Sequence, residues 1–170
     1  MTESEWEGHV QKMWDSFDEL SENDFRAQME ELIALYPLEG GAGLFETAAM
    51  WDATGRSDLA VALYESAVER GLTEERRRRA IIQLASSMRN IGRVEEAAVM
   101  LEDEGGVTSD ELDDAVVAFR ALALADLGRE RKALSVSLIA LSAHLPRYQR
   151  SLKAYALDLV DSETPDKHES

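Results

Sequence analysis

The chain has 170 residues, of which 45% are hydrophobic, and it carries a formal net charge of −16. This length suits one domain with a sizeable core, and an acidic surface repels nucleic acid and anionic membranes, so we expect neither as a partner. The sequence has no Cys, which excludes disulfides, thiolate catalysis and cysteine-ligated zinc. It also lacks a secretory signal and any stretch of the ~18 apolar residues that a membrane helix needs. We therefore expect a cytoplasmic protein.

Apolar residues recur at helical spacing along most of the chain. Ser57 and Thr73 stand where helix caps are expected, and Pro37 and Pro146 end the helices before them. Residues 161–170 are polar and lack apolar anchors, which predicts a disordered tail. The pattern predicts nine helices, paired as hairpins with a closing helix, over residues 4–20, 24–36, 44–54, 58–70, 74–90, 94–104, 109–127, 130–144 and 147–160.

Three of the turns between these helices are similar to one another. Gly55, Gly92 and Gly128 are each followed by Arg and, five residues after the glycine, by Ala. The steps between these glycines are 37 and 36 residues. Self-similarity at a period of about 20–50 residues indicates stacked units that are too small to bury an apolar face alone. The sequence therefore predicts an all-α array of helix hairpins.

The small residues around these turns resemble those of the tetratricopeptide repeat (TPR). The matching positions are Ala48, Gly55, Ala60 and Ala67 in the first repeat, Ala85, Gly92 and Ala97 in the second, and Ala121, Gly128, Ala133 and Ala140 in the third. Glu104 replaces the second Ala of repeat two, and only the third repeat has the closing Pro, at Pro146. The run GLTEERRRRAIIQLASSMRNIG is similar to a bacterial subfamily called TPR group 5, and the resemblance covers residues 42–146.

The resemblance implies a right-handed superhelical array of antiparallel helix hairpins, a TPR-like α-solenoid. We expect one domain over residues 1–160, comprising an N-terminal hairpin (1–41), three repeats (42–146) and a capping helix (147–160). The family implies a protein-interaction module without enzymatic activity. No catalytic motif is evident in the sequence, so we expect neither catalytic residues nor a cofactor.

In TPR arrays the first helix of each hairpin lines a concave groove, which implies a peptide-binding site here. Arg and Asn side chains there would donate hydrogen bonds to carboxylates and carbonyls, and Phe45 and Phe119 would anchor apolar groups. Alternatively, Glu46 and Asp52 pair with Arg79 and Arg89 and simply hold neighbouring hairpins together. The predicted peptide-binding residues are Phe45, Glu46, Asp52, Arg79, Gln83, Ser86, Arg89, Asn90, Phe119 and Asp126.

Other candidate features have ordinary explanations. The run Arg76–Arg79 is not expected to form one basic surface, because four consecutive helical residues point in different directions. His9, His144 and His168 are far apart in sequence, so no metal site is predicted. Trp6, Trp14 and Phe17 are expected in the core or an end cap, or else in a dimer interface. Self-association as a homodimer through the end helices is therefore the alternative function.

Overall fold

A computed structural model describes residues 2–35, 40–107 and 110–161. Within these ranges the chain forms nine α-helices, one short 3-10 helix (Phe17–Glu19) and no strand. The chain divides into two compact units, Met1–Ile91 and Gly92–Ser170. The α-helices are α1 (Glu3–Asp15), α2 (Glu22–Ala34), α3 (Ala42–Ala53), α4 (Ser57–Arg70), α5 (Glu74–Asn90), α6 (Val94–Glu104), α7 (Asp113–Asp126), α8 (Glu130–His144) and α9 (Gln149–Asp161).

The nine helices confirm the predicted pattern, and α5, α6 and α8 have the predicted bounds. Helix α7 begins later than predicted, at Asp113, and residue 109, its predicted first residue, lies outside the described ranges. The disordered tail was predicted to begin at residue 161, but Asp161 is the last residue of α9. Residues 162–170 of the predicted tail lie outside the described ranges. The single domain over residues 1–160 stays a prediction.

Glycines with a left-handed backbone make the tight turns at the ends of these helices. Gly55 joins α3 to α4 with φ 78°, and Gly128 joins α7 to α8 with φ 69°. Side chains rarely adopt this conformation, and glycine adopts it without steric penalty. The caps differ from the prediction: Ser57 is the first residue of α4, and the Thr73 side chain makes no capping hydrogen bond.

The first unit has a core rich in aromatic and sulfur-containing side chains. Its buried cluster contains Trp6, Val10, Phe25, Met29, Leu32 and Met50, with Trp14 and Phe17 packed against it. The Trp6 Nε1 group donates to the Leu32 carbonyl at 3.2 Å, and the Phe17 and Phe25 rings meet edge to face at 4.8 Å. Trp6, Trp14 and Phe17 therefore lie in or against the core that joins α1 and α2 to α3, and their part in a dimer interface stays a prediction.

Small residues let the helices of the first unit approach closely. Ala48, Ala60 and Ala67 are fully buried in α3 and α4. The N–H of Gly41 donates to the Gly71 carbonyl at 3.0 Å. A Cβ at Gly41 would lie 2.1 Å from the Ala67 carbonyl oxygen, which is far inside van der Waals contact. Gly41 is therefore required where the start of α3 meets the end of α4.

The second unit has a smaller core and more exposed apolar side chains. Helices α6, α7, α8 and α9 pack each on the next, and Ala121, Leu124 and Ala133 form a buried cluster between α7 and α8. Several large apolar side chains on these helices face solvent instead: Leu122, Leu134, Leu141, Tyr155 and Leu157. Tyr148, which directly precedes α9, is also exposed.

Candidate functional site

A polar cleft lies between α1, α3 and α5 of the first unit. It consists of two adjoining cavities of about 230 and 350 Å³, which share Gln11, Trp14, Glu46 and Arg79. We call it the first-unit cleft. Its polar and aromatic lining residues are Glu7, Gln11, Trp14, Glu46, Asp52, Tyr64, Thr73, Glu75, Arg76, Arg79 and Gln83.

Two side-chain contacts hold α1 in place as one wall of the cleft. Arg76 of α5 forms an ion pair with Glu7 of α1, with 2.7 Å between Nη2 and Oε1. Trp14 of α1 donates from Nε1 to the Glu46 carboxylate of α3 at 2.9 Å. These partners are 69 and 32 residues apart in sequence, so helical spacing alone could not have paired them. The N-terminal hairpin therefore helps to build the site.

Arg79 is the exposed cation of the cleft. Its guanidinium carbon lies 5.4 Å from the centre of the Phe45 ring, a cation–π contact that holds the planar group against an aromatic face. Within the described ranges, no side chain or carbonyl accepts a hydrogen bond from this guanidinium, and no carboxylate pairs with it. Its forked donors are therefore available to a ligand.

Phe45 does not present the apolar anchor that the sequence predicted. Its ring is fully buried, since Tyr64 packs against it with 5.9 Å between ring centres and the Arg79 guanidinium lies over it. Helical spacing placed Phe45 on the correct side of α3 but could not show that these two side chains cover the ring. Phe45 therefore acts on the cleft by supporting Arg79.

Gln83 provides a second donor on the same wall. The Tyr64 hydroxyl donates to Gln83 Oε1 at 2.9 Å, which fixes the amide so that its Nε2 group faces away from Tyr64. Because Gln83 follows Arg79 by one helical turn, the two side chains lie on the same face of α5. The cleft therefore offers two neighbouring sets of N–H donors.

Glu46 is the buried acid of the cleft, with only 4% of its surface exposed. Burial raises the pKa of its carboxyl above the ordinary value of 4.5, and this outweighs the Trp14 hydrogen bond and the positive charges of Arg76 and Arg79, which lower it. Burial disfavours the charged form of a carboxyl. Glu46 accepts from Trp14 rather than forming the predicted ion pair with Arg79.

The remaining predicted residues of the first unit lie toward the far end of the hairpin. The Ser57 hydroxyl donates to Asp52 at 2.8 Å and accepts from the Asn90 amide at 3.1 Å. Asp52 and Asn90 thus connect the α3–α4 turn to the end of α5. Ser86 and Arg89 are half-buried on α5.

Phe119 and Asp126 belong to α7 of the second unit, where Phe119 is half-buried and Asp126 is exposed. A separate apolar cleft of about 250 Å³ lies between α7 and α8, lined by Val117, Ala118, Ala140 and Leu141. At one end, His144 Nε2 lies 2.8 Å from Asp114 Oδ2. Sequence reasoning missed this pair because its members are 30 residues apart.

The four consecutive arginines of α5 have different environments. Arg76 pairs with Glu7, Arg78 is buried and Arg79 lies over Phe45. This agrees with the expectation that they do not form one basic surface. No group of three His, Asp or Glu side chains in the described ranges is arranged to hold a metal ion.

These helix hairpins and glycine turns define an α-helical repeat protein. The family model of the tetratrico peptide repeat matches residues 41–159, so the chain belongs to the TPR family, as the sequence predicted. A solved structure from Podosopora anserina, described as kinesin light chain nearly identical TPR-like repeats, is similar with a TM-score of 0.71 and 18% identity, covering 94% of this chain and 89% of that one. This likeness confirms the TPR-like fold.

Two further findings accompany these comparisons. No curated protein matches the sequence. Of the helices in the described ranges, none has the length and apolar character needed to cross a membrane.

Proposed function

We propose that this chain is a protein-interaction module and that the first-unit cleft binds a segment of a partner protein. Membership of the TPR family supports the general function. The observation that carries the specific site is Arg79, whose guanidinium is held against Phe45 and has no accepting partner among the described residues. A cation that is positioned but unpaired in a cleft is suited to an incoming anion.

The cleft suits a segment that carries an acidic side chain. Arginine binds a carboxylate through two parallel N–H···O bonds, which fixes both position and orientation. The Gln83 amide, one turn along α5, would donate to a backbone carbonyl of the same segment.

The other predicted contacts of the first unit extend this proposal along α5, where Ser86, Arg89 and Asn90 would contact the segment beyond Gln83. Phe119 and Asp126 are predicted contacts on α7 of the second unit. Each of these contacts stays a prediction. Phe45 would not contact the segment directly, because its ring is fully buried.

A differential pull-down from the lysate of the source organism tests the proposal. The baits are the native chain, the variant Arg79→Ala/Gln83→Ala, and a matched control, Arg70→Ala/Gln28→Ala, which removes the same two residue types from exposed positions on α4 and α2. We expect a protein that the native and control baits capture and the cleft variant does not. Circular dichroism confirms that each bait is folded.

Equal capture by all three folded baits would contradict the proposed site. Self-association is then the remaining candidate function. The exposed side chains of α9 favour it independently of the cleft.

A further inference from the structure

The charges that line the first-unit cleft do not balance one another. Glu7 and Arg76 form an ion pair. Among the described residues, the other charged lining groups are one guanidinium and three carboxyl groups, those of Arg79, Glu46, Asp52 and Glu75. Even with Glu46 neutral, two carboxylates would remain beside one cation. A purely acidic segment would therefore bind Arg79 against the repulsion of these carboxylates.

Asp52 is the carboxylate that is fixed in place in the larger cavity of the cleft. It is half-buried on α3, and the Ser57 hydroxyl donates to its Oδ1 at 2.8 Å. Within the described ranges no cation pairs with its carboxylate. A nearby positive charge favours the charged form of a carboxyl that is partly removed from water. Asp52 is therefore suited to a basic group of a ligand, whereas Glu75 is exposed to solvent.

Small side chains leave room for a basic side chain beside Asp52. Ala49 and Ala53 are one helical turn apart on α3, and they line the same cavity of about 350 Å³ as Asp52, Arg79 and Gln83. Lysine and arginine lay their apolar stems along apolar surface while the charged head contacts a polar group. Such a stem would lie against the two alanine methyl groups, with its head at the Asp52 carboxylate.

We propose that the segment bound in the first-unit cleft carries both charges, an acidic side chain that binds Arg79 and a basic side chain that binds Asp52. This inference rests on the proposed function and specifies its ligand. A segment with acids alone would meet Asp52, and a segment with bases alone would meet Arg79. Like charges that face each other across an interface exclude wrong partners, so the cleft selects segments of mixed charge.

Selection from a random peptide library displayed on phage tests the two charges separately. The baits are the native chain, Arg79→Gln and Asp52→Asn, with Arg70→Gln and Asp103→Asn as matched controls at exposed positions on α4 and α6. The amide oxygen of Asn can still accept from the Ser57 hydroxyl. Circular dichroism confirms that each bait is folded.

The native chain and both controls should select the same mixed-charge peptides. We expect about tenfold enrichment of peptides with an acidic and a basic residue within about six positions, a length of about 20 Å in an extended chain. Asp52→Asn should lose the preference for the basic residue and keep that for the acidic one, and Arg79→Gln should do the reverse. In fluorescence polarisation, a selected peptide whose basic residue is replaced by Gln should bind the native chain roughly tenfold more weakly.

The possible failures separate this inference from the proposed function. Peptides enriched in acids alone, by the native chain and Asp52→Asn alike, would overturn the mixed-charge ligand and leave the acid-binding site in place. Selection of the same acidic peptides by Arg79→Gln would contradict the proposed function itself. Peptides enriched in bases alone, or a pool without any charge preference, would overturn both.

Discussion

The two units of this chain differ in what they leave exposed. The first buries an aromatic core under α1 and α2 and presents a polar cleft in which the Arg79 guanidinium has no accepting partner among the described residues. The second has a core cluster of small and medium side chains and leaves large apolar groups on α7, α8 and α9 facing solvent. Repeats of one family can therefore present two kinds of surface, one suited to charged hydrogen-bonding ligands and one suited to apolar contact.

The difference depends on the N-terminal hairpin. In the first unit α1 supplies Glu7 and Trp14, which contact α5 and α3 and close one side of the cleft. In the second unit the last helix, α9, packs on α8 and leaves its own outer face uncovered. An end helix can therefore either complete a ligand cleft or present an interface.

Glycine substitutions should produce the largest difference in stability between the two units. Gly41→Ala should lower the free energy of unfolding by about 1–3 kcal/mol, because its Cβ would collide with the Ala67 carbonyl. Gly105→Ala in the second unit should change it by less than about 0.5 kcal/mol, since the new Cβ would have only ordinary contacts, the nearest at 3.5 Å. Urea denaturation followed by circular dichroism measures both. Equal losses would show that close helix approach is not particular to the first unit.

Two glutamates with opposite pKa shifts should produce a smaller difference, in how the stability of the fold depends on pH. The pKa of Glu46 is raised by burial, so the folded state holds its proton more tightly than the unfolded state does. The contribution of Glu46 to the free energy of unfolding is therefore present at low pH. It falls as the pH rises above 4.5, the ordinary pKa of a Glu carboxyl. Glu46→Gln removes the titration while the amide oxygen still accepts from Trp14. We expect its urea midpoint to exceed the native one by a margin that grows from pH 5 to pH 7.

Glu96→Gln in the second unit is the matched control. The hydrogen bond from Arg93 lowers the pKa of the Glu96 carboxyl, so its stabilisation is present above the ordinary value and is lost as the pH falls. Because this pair is exposed, the substitution should reduce the midpoint at pH 7 only slightly. The account would be contradicted if the urea midpoint of Glu46→Gln at pH 7 were lower than that of the native chain. That result would show that the charge on Glu46 stabilises the cleft.

Much of the fold could be predicted from local signals in the sequence. Helices α5 and α8 have their predicted bounds because a glycine turn or a proline stands close to their ends. The three glycine-to-alanine spacings predicted a helical repeat array, and the resemblance of the residues around these turns indicated the TPR family. These features depend on residues close together in sequence, which is the information that helical periodicity contains.

The site was only partly predictable, because it depends on contacts between distant helices. Arg79 and Gln83 were correctly placed on one face of α5, yet the packing of α1 against that face was not foreseen. Phe45 was expected to be open, but Tyr64 and Arg79 cover its ring. Helical spacing predicts the side of the helix on which a residue lies. The side chains that pack over that residue come from other helices and depend on tertiary packing.

A double-mutant cycle between Arg79 and the partner segment tests the central claim most directly. Once the differential pull-down has identified a segment, isothermal titration calorimetry measures its affinity for the native chain and for Arg79→Ala, each with the native peptide and with its acidic residue replaced by the corresponding amide. We predict a coupling free energy of at least about 1.5 kcal/mol, because a close arginine–carboxylate pair loses most of its energy when either partner is removed. Losses that add to within about 0.5 kcal/mol would contradict the account.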